Sequence, residues 1–200
     1  MPTTPACRPA ALEVRPATEQ TWADLQELLG RKGSVNGCWC MFFRQTPAER
    51  KQLWGEGNRR ALHRLVASDA RPGLIGYRDG RPAGWVSVAP RADYPRLDRS
   101  PVSKRVDDRP VWSLACLYVG REHRGGGVAR GLVRAALRHA RDTGAELVEA
   151  YPVDDALGPV PDAQAYHGWV SLLTAEGFTE VARRQPRRPV MRHDLTGIPA

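Results

Sequence analysis

The chain has 200 residues, 42% hydrophobic and 26% charged, which is enough for one sizeable domain with its own core. Its apolar runs fall short of the roughly 20 residues that a membrane-spanning helix needs, and the N-terminal MPTTPACRPAALEVRP contains no apolar signal core; a cytoplasmic protein with no membrane partner is expected. The net charge of +8 is almost all arginine, with lysine at Lys32, Lys51 and Lys104. It suits anionic ligands such as nucleotides, but the arginines are scattered and no RNA-binding aromatic signature accompanies them, which argues against nucleic acid.

In chain order, Leu12–Arg15 reads as a first strand. A helix capped by Thr18 or Thr21 follows to about Leu29, with Trp22, Leu25, Leu28 and Leu29 on one apolar face. Gly30–Gly37 is a loop leading into Cys38-Trp39-Cys40-Met41-Phe42-Phe43-Arg44, a run too apolar for an ordinary exposed loop. Cys7, Cys38, Cys40 and Cys116 are too few and too unevenly spaced for a disulfide framework. No second Cys or His pair follows at ligand spacing, so no metal is expected and reduced thiols near a pocket are.

Thr46-Pro47-Ala48-Glu49 is a helix start with a capping box and proline at the first position, and its helix is predicted to reach about Ser68. Gly73–Arg78 and Ala83–Ala89 are strands joined by the hairpin signal Arg78-Asp79-Gly80-Arg81. Arg91–Pro110, polar and aperiodic, is expected to be a long surface loop, with a lid as one use. Val111–Val119 is a buried strand. Gly127–Arg141 is a helix with Val128, Leu132, Val133, Ala136, Leu137 and Ala140 on one face. Ala145–Val153 is a strand, Val170–Glu176 a helix, and Phe178–Arg184 with Pro189–Asp194 a closing hairpin. The fold class predicted is α/β (α+β): a mixed, mostly antiparallel twisted sheet of about six to seven strands with flanking helices and one central βαβ crossover.

The stretch Leu117-Tyr118-Val119-Gly120-Arg121-Glu122-His123-Arg124-Gly125-Gly126-Gly127-Val128-Ala129 joins a strand to a helix through glycines and arginines. A phosphate-binding P-loop fails here, because Gly126-Gly127 stands where Lys and a hydroxyl are required. The dinucleotide fingerprint fails too: Arg130 occupies the third glycine position, and one crossover is too few for that fold. The pattern Arg/Gln-x-x-Gly-x-Gly/Ala is met at every specified position by Arg124-Gly125-Gly126-Gly127-Val128-Ala129.

This pattern resembles the acetyl-CoA signature of the GNAT superfamily of N-acetyltransferases. The resemblance extends over about Val14 to Asp194, including Glu176-Gly177-Phe178 at a helix end. It implies a single GNAT-like domain at 12–195, flanked by a flexible 1–11 and a tail at 196–200, and acting as a monomer or homodimer. It also implies acetyl-CoA as cosubstrate, with Leu117, Tyr118 and Val119 along the pantetheine arm. Arg124, Gly125, Gly126, Gly127, Val128, Ala129 and Arg130 would lie at the pyrophosphate, where helix-start amides attract negative charge. Arg134, one turn beyond Arg130, is either a further phosphate contact or a solvated face.

The implied chemistry is direct acetyl transfer to a primary amine of a small molecule or amino-acid-like metabolite. Protein lysine or N-terminal acetylation, or a CoA-binding module without catalysis, are the alternatives. A base must take a proton from the amine and an acid must protonate the leaving thiolate; a backbone N–H near Leu117 would polarise the acetyl carbonyl. The central strand Val111–Leu117 has no carboxylate, which leaves Glu149 as base, with Asp154 and Asp155 in reserve. Leu173 stands where many relatives carry a tyrosine acid, so Tyr166 is the substitute, with His167 as alternative. Trp39 and Arg44 are expected to bind the acceptor, and Met41 and Phe42 to pack in the core.

Overall fold

The computed structural model describes residues 11–68, 70–161 and 164–197; Cys7 and most of the expected N-terminal and C-terminal tails lie outside them. One seven-stranded sheet in the order β1-β2-β3-β4-β5-β7-β6 has central strands buried on both faces. Its strands are β1 (Glu13–Pro16), β2 (Gly73–Arg78), β3 (Arg81–Pro90), β4 (Trp112–Val119), β5 (Leu147–Ala150), β6 (Thr179–Gln185) and β7 (Arg188–Asp194). Asp79 and Gly80, at φ 51° and 74°, supply the two left-handed residues that a tight two-residue hairpin turn requires between β2 and β3. The β4–β5 pair is parallel and the other pairs are antiparallel. The intervening helix makes this pair the central crossover.

The helices are α1 (Trp22–Leu29), α2 (Pro47–Leu53), α3 (Glu56–Val66), α4 (Pro95–Asp98), α5 (Val128–Asp142) and α6 (Val170–Ala175). On one face of the sheet, α5 buries Val128, Leu132, Val133, Ala136, Leu137 and Ala140, the stripe its periodicity predicts, against Leu74, Val86, Val88, Leu114 and Val148. On the other face, Trp22, Leu25 and Leu29 of α1 and Leu62 and Val66 of α3 pack on Ile75, Tyr77 and Trp85. Each fully buried side chain of this size contributes roughly 1.5–3 kcal/mol of apolar burial.

Two expectations need correction. The helix predicted from Thr46 to Ser68 begins with its capping box intact, Glu49 N–H donating to Thr46 Oγ1, but it breaks at Trp54-Gly55. Gly55, at φ 74°, donates its N–H to the Gly37 carbonyl. A Cβ on Gly37 would lie 3.0 Å from Gly55 Cα, so two backbones cross where a straight helix would collide.

The second correction concerns Arg91–Pro110, which is no loose surface loop. Tyr94 and Leu97 are fully buried, and Arg91 and Ser103 nearly so. Arg184 Nη1 donates to the carbonyls of Val102 and Lys104, and Arg91 Nη2 to that of Ser103. Order here comes from arginine forks on backbone carbonyls, which leave no apolar periodicity to read.

Candidate active site

The sheet opens at the β4–β5 pair. Its ladder ends at Leu114 and Ala150, while β4 runs on to Val119. Gly120 donates to the Ala83 carbonyl on the β3 side, so strand alternation turns the N–H and C=O of Leu117 and Val119 toward the gap. The Leu117 N–H is not free to polarise a carbonyl as expected: it donates to the Tyr166 carbonyl at 2.6 Å. The Val119 carbonyl accepts from Arg124 Nε at 3.4 Å. Tyr118 faces the other way and packs against the α1–α3 core layer.

Past the gap, Gly125 and Gly127 hold φ of 73° and 81°, and Gly127 is the left-handed N-cap of the 15-residue α5. A Cβ on either would meet nothing within 4 Å; glycine is required by conformation, and the space above the loop is open. The helix ladder starts with Gly131 N–H on the Gly127 carbonyl, so the amides of Val128, Ala129 and Arg130 precede it without intrahelical acceptors. These amides and the helix dipole form a cradle for an anion.

Gly126 serves a different purpose. Arg78 Nη2 donates to its carbonyl, and a Cβ there would lie 2.1 Å from Arg78 Nη1. The missing side chain thus admits a guanidinium beside the cradle. Arg130 and Arg134, by contrast, direct their Nε atoms to the two carboxylate oxygens of Glu176, at 3.1 and 2.6 Å. They brace α5 against the end of α6 rather than enter the cradle.

Two cavities lie on the acceptor side and share Phe42, Phe43 and Tyr166 as walls. The larger, about 490 Å³, is also lined by Arg96, Arg99, Arg188, Tyr151 and His167. The smaller, about 230 Å³, is lined by Cys38, Cys40, Cys116 and Trp54 among others. Burial raises the Tyr166 phenol above its ordinary pKa, so it is protonated at neutral pH. Burial pushes the His167 imidazole down to about 3, with Arg188 adding to the effect and a backbone hydrogen bond with Ala115 opposing it. His167 is therefore neutral, and its buried Nδ1 has no hydrogen-bond partner among the described residues.

The residues expected to bind the acceptor lie elsewhere. Trp39 is 3% exposed in the α1–α3 core layer, its ring 6.2 Å from that of Trp22. Arg44 runs under Tyr94, donating Nη2 to the Tyr94 hydroxyl and to the Pro72 carbonyl. Phe42, expected in the core, lines both cavities instead. The hydrophobic run does reach the cavities, but left-handed φ at Trp39 and Cys40, 48° and 51°, shifts which side chains face them. Sequence periodicity carries no sign of such a twist.

Glu149 is neither solvent-facing nor open to a ligand. It is 0% exposed, with Oε1 accepting from Arg91 Nη1 and the Tyr151 hydroxyl, and Oε2 from Arg192 Nε. Asp98 and Asp107 pair the outer sides of the two arginines. Asp155 holds Ser171 at the start of α6, and Asp154 holds Arg183; neither lines either of these two cavities.

Among the thiols, Cys40 Sγ and Cys116 Sγ lie 3.2 Å apart. Their hydrogen bond, with burial, raises Cys116 well above the usual thiol range, and burial pushes Cys38 up to about 11. Cys38 and Cys116 are therefore protonated at neutral pH, whereas the same hydrogen bond lowers the Cys40 thiol below its ordinary value.

An amide cradle after the splayed central strand, with a walled cavity across from it, defines an acyltransferase architecture. Residues 36–158 match the acetyltransferase (GNAT) family, and the chain belongs to that family of acyltransferase enzymes. No curated protein matches the chain in sequence.

Solved structures with the same fold include PaiA N-acetyltransferase from Thermoplasma acidophilum in complex with coenzyme A, at 13% identity and TM-score 0.52, covering 92% of this chain and 99% of that one. YncA, a putative acetyltransferase from Salmonella typhimurium solved with acetyl-CoA, is 18% identical at TM-score 0.53, covering 95% and 97%. A mosquito arylalkylamine N-acetyltransferase like 5b is 11% identical at TM-score 0.58, covering 92% and 100%. At these identities the likeness establishes the fold. Among the described residues, no helix is long and apolar enough to cross a membrane.

Proposed function

We propose that the protein transfers the acetyl group of acetyl-CoA to the primary amine of a small, metabolite-sized acceptor. The observation that carries this reading is the β4–β5 gap followed directly by the helix-start amides of Val128, Ala129 and Arg130, which precede the helix's own hydrogen-bond ladder. Acetyl-CoA supplies an acetyl group already activated as a thioester. The α5 amides, Gly127 and Arg78 hold its pyrophosphate, and the Val119 edge holds the pantetheine arm. The larger cavity, about 490 Å³, has the size of a small-molecule site, which favours a metabolite over a protein substrate.

The residues around the gap divide the proton work. Tyr166 is fixed beside β4 by its carbonyl bond with Leu117, and its protonated phenol gives a proton to the leaving thiolate. Glu149 serves as an ionic anchor under the cavity floor rather than as the base, because its oxygens are committed to Arg91, Tyr151 and Arg192. Arg96, Arg99 and Arg188 around the acceptor disfavour its ammonium form, so the amine loses its proton to water in the open cavity.

The test is thiol release from acetyl-CoA across a panel of primary amines, together with calorimetric binding of acetyl-CoA. Turnover with at least one amine is expected. Tight acetyl-CoA binding without turnover would favour the non-catalytic module, and no binding would overturn the reading altogether.

A further inference from the structure

The larger cavity has a one-sided charge. Arg96, Arg99 and Arg188 line it, and none of its lining residues is an aspartate or glutamate. Several other guanidinium groups are held by carboxylates, as at Arg91, Arg134, Arg183 and Arg192. Among the described residues these three have no such partner. Arg96 lies over the Phe42 ring, 4.1 Å from its centroid, and Arg188 donates one Nη2 hydrogen bond to the Gln164 carbonyl. Each guanidinium has five N–H donors, so most of this donor capacity is not spent on protein acceptors.

Two further features bear on the same wall. Arg188 and Arg96 both act electrostatically on the Tyr166 phenol, and Arg188 also acts on His167. His167 adds a buried, unpartnered ring nitrogen in the same wall. Because the imidazole is neutral, one of its ring nitrogens can donate and the other accept. A buried polar atom left unpaired is costly, and it sits in a residue that lines the cavity beside the arginines.

Resting on the acetyltransferase reading above, we infer that the acceptor is a small amine that also carries an anionic group, a carboxylate or a phosphate, held by Arg96, Arg99 and Arg188 with His167 beside the polar end. The planar fork of arginine suits both anions, and charge-assisted pairs are the strong members of the hydrogen-bond family. Arg44, the arginine that sequence reading favours for this task, is occupied by Tyr94 and Pro72. The anion site is assembled instead from α4, the segment after it, and the first residue of β7.

Matched acceptor pairs test the inference: phenylalanine against phenethylamine, and phosphoethanolamine against ethanolamine, each assayed by thiol release from acetyl-CoA. A glutamate-rich peptide serves as a macromolecular arm. At least one anionic member is expected to exceed its neutral partner at least tenfold in kcat/KM, the pair that does so identifying carboxylate or phosphate, and the peptide should be poorer than either. In Arg96→Ala and Arg188→Gln that ratio should fall roughly 10–100-fold, as expected for losing one charge-assisted pair, chiefly through KM. Neutral amines turned over as well as or better than both anionic ones would overturn the inference while leaving the acetyltransferase intact, and a peptide preference would overturn the small-acceptor claim. If no amine is turned over, calorimetry with 3-phenylpropionate and with inorganic phosphate decides separately: binding weakened in Arg188→Gln supports the anion site without the chemistry, and no binding of either overturns it.

Discussion

The two sides of the β4 edge are built on opposite plans. The cradle toward α5 is local: Arg124 to Arg130 are consecutive, and their function lies in backbone amides and in the conformations that glycine allows. The acceptor side is assembled from Phe42 and Phe43, Arg96 and Arg99, Tyr151, Tyr166 and His167, and Arg188, which come from five separate parts of the chain. A backbone site tolerates wide sequence change as long as its turn survives. A side-chain site changes its ligand with a single substitution, which is how one fold serves many acceptors.

The largest effect should come from the anchor beneath the acceptor side. Glu149→Ala leaves Arg91 and Arg192 without their buried partner, and a loss of roughly 3–5 kcal/mol in denaturant unfolding is expected. A near-normal fold with kcat abolished and its pH dependence altered would instead make Glu149 the base, contrary to the proposal.

His167 gives the next test, through pH. Its folded pKa of about 3 lies below the unfolded value near 6.5, so the unfolded state binds more protons between these values. Stability is therefore full above about pH 6.5 and is lost as pH falls toward the folded value, by on the order of a few kcal/mol. Urea midpoints measured from pH 7 to pH 4 should show that loss, and His167→Phe should flatten it; an unchanged slope would mean that the imidazole is not buried neutral.

On the cradle side, Gly127→Leu should weaken calorimetric acetyl-CoA binding at least tenfold. The left-handed φ of 81° costs a side chain roughly 1–2 kcal/mol, so the melting temperature should fall by several degrees without loss of the fold. Retained affinity would break the contrast drawn here, since the cradle would then not depend on bare backbone. Tyr166→Phe sits at the seam of the two sides and should lower kcat by roughly 100-fold or more with little change in melting temperature. A rate change confined to KM would remove it as the acid.

Much of this molecule can be read from the sequence alone. The β2–β3 hairpin with its Asp79-Gly80 turn, the α5 stripe, the Thr46 capping box and the glycine pattern of Arg124–Ala129 all depend on neighbours within a turn or two. The physics that produces them is local, and the residues spell it out. Tertiary structure decided the rest. It split the second predicted helix where Gly55 crosses Gly37, and it pinned Arg91–Pro110 with arginine forks. It drew Glu149 into an ion-paired core and exchanged Trp39 and Arg44 for Phe42, Arg96 and Arg188 at the cavity. Each of these outcomes depends on which distant backbone or charge arrives at a given point, and spacing along the chain carries no record of that.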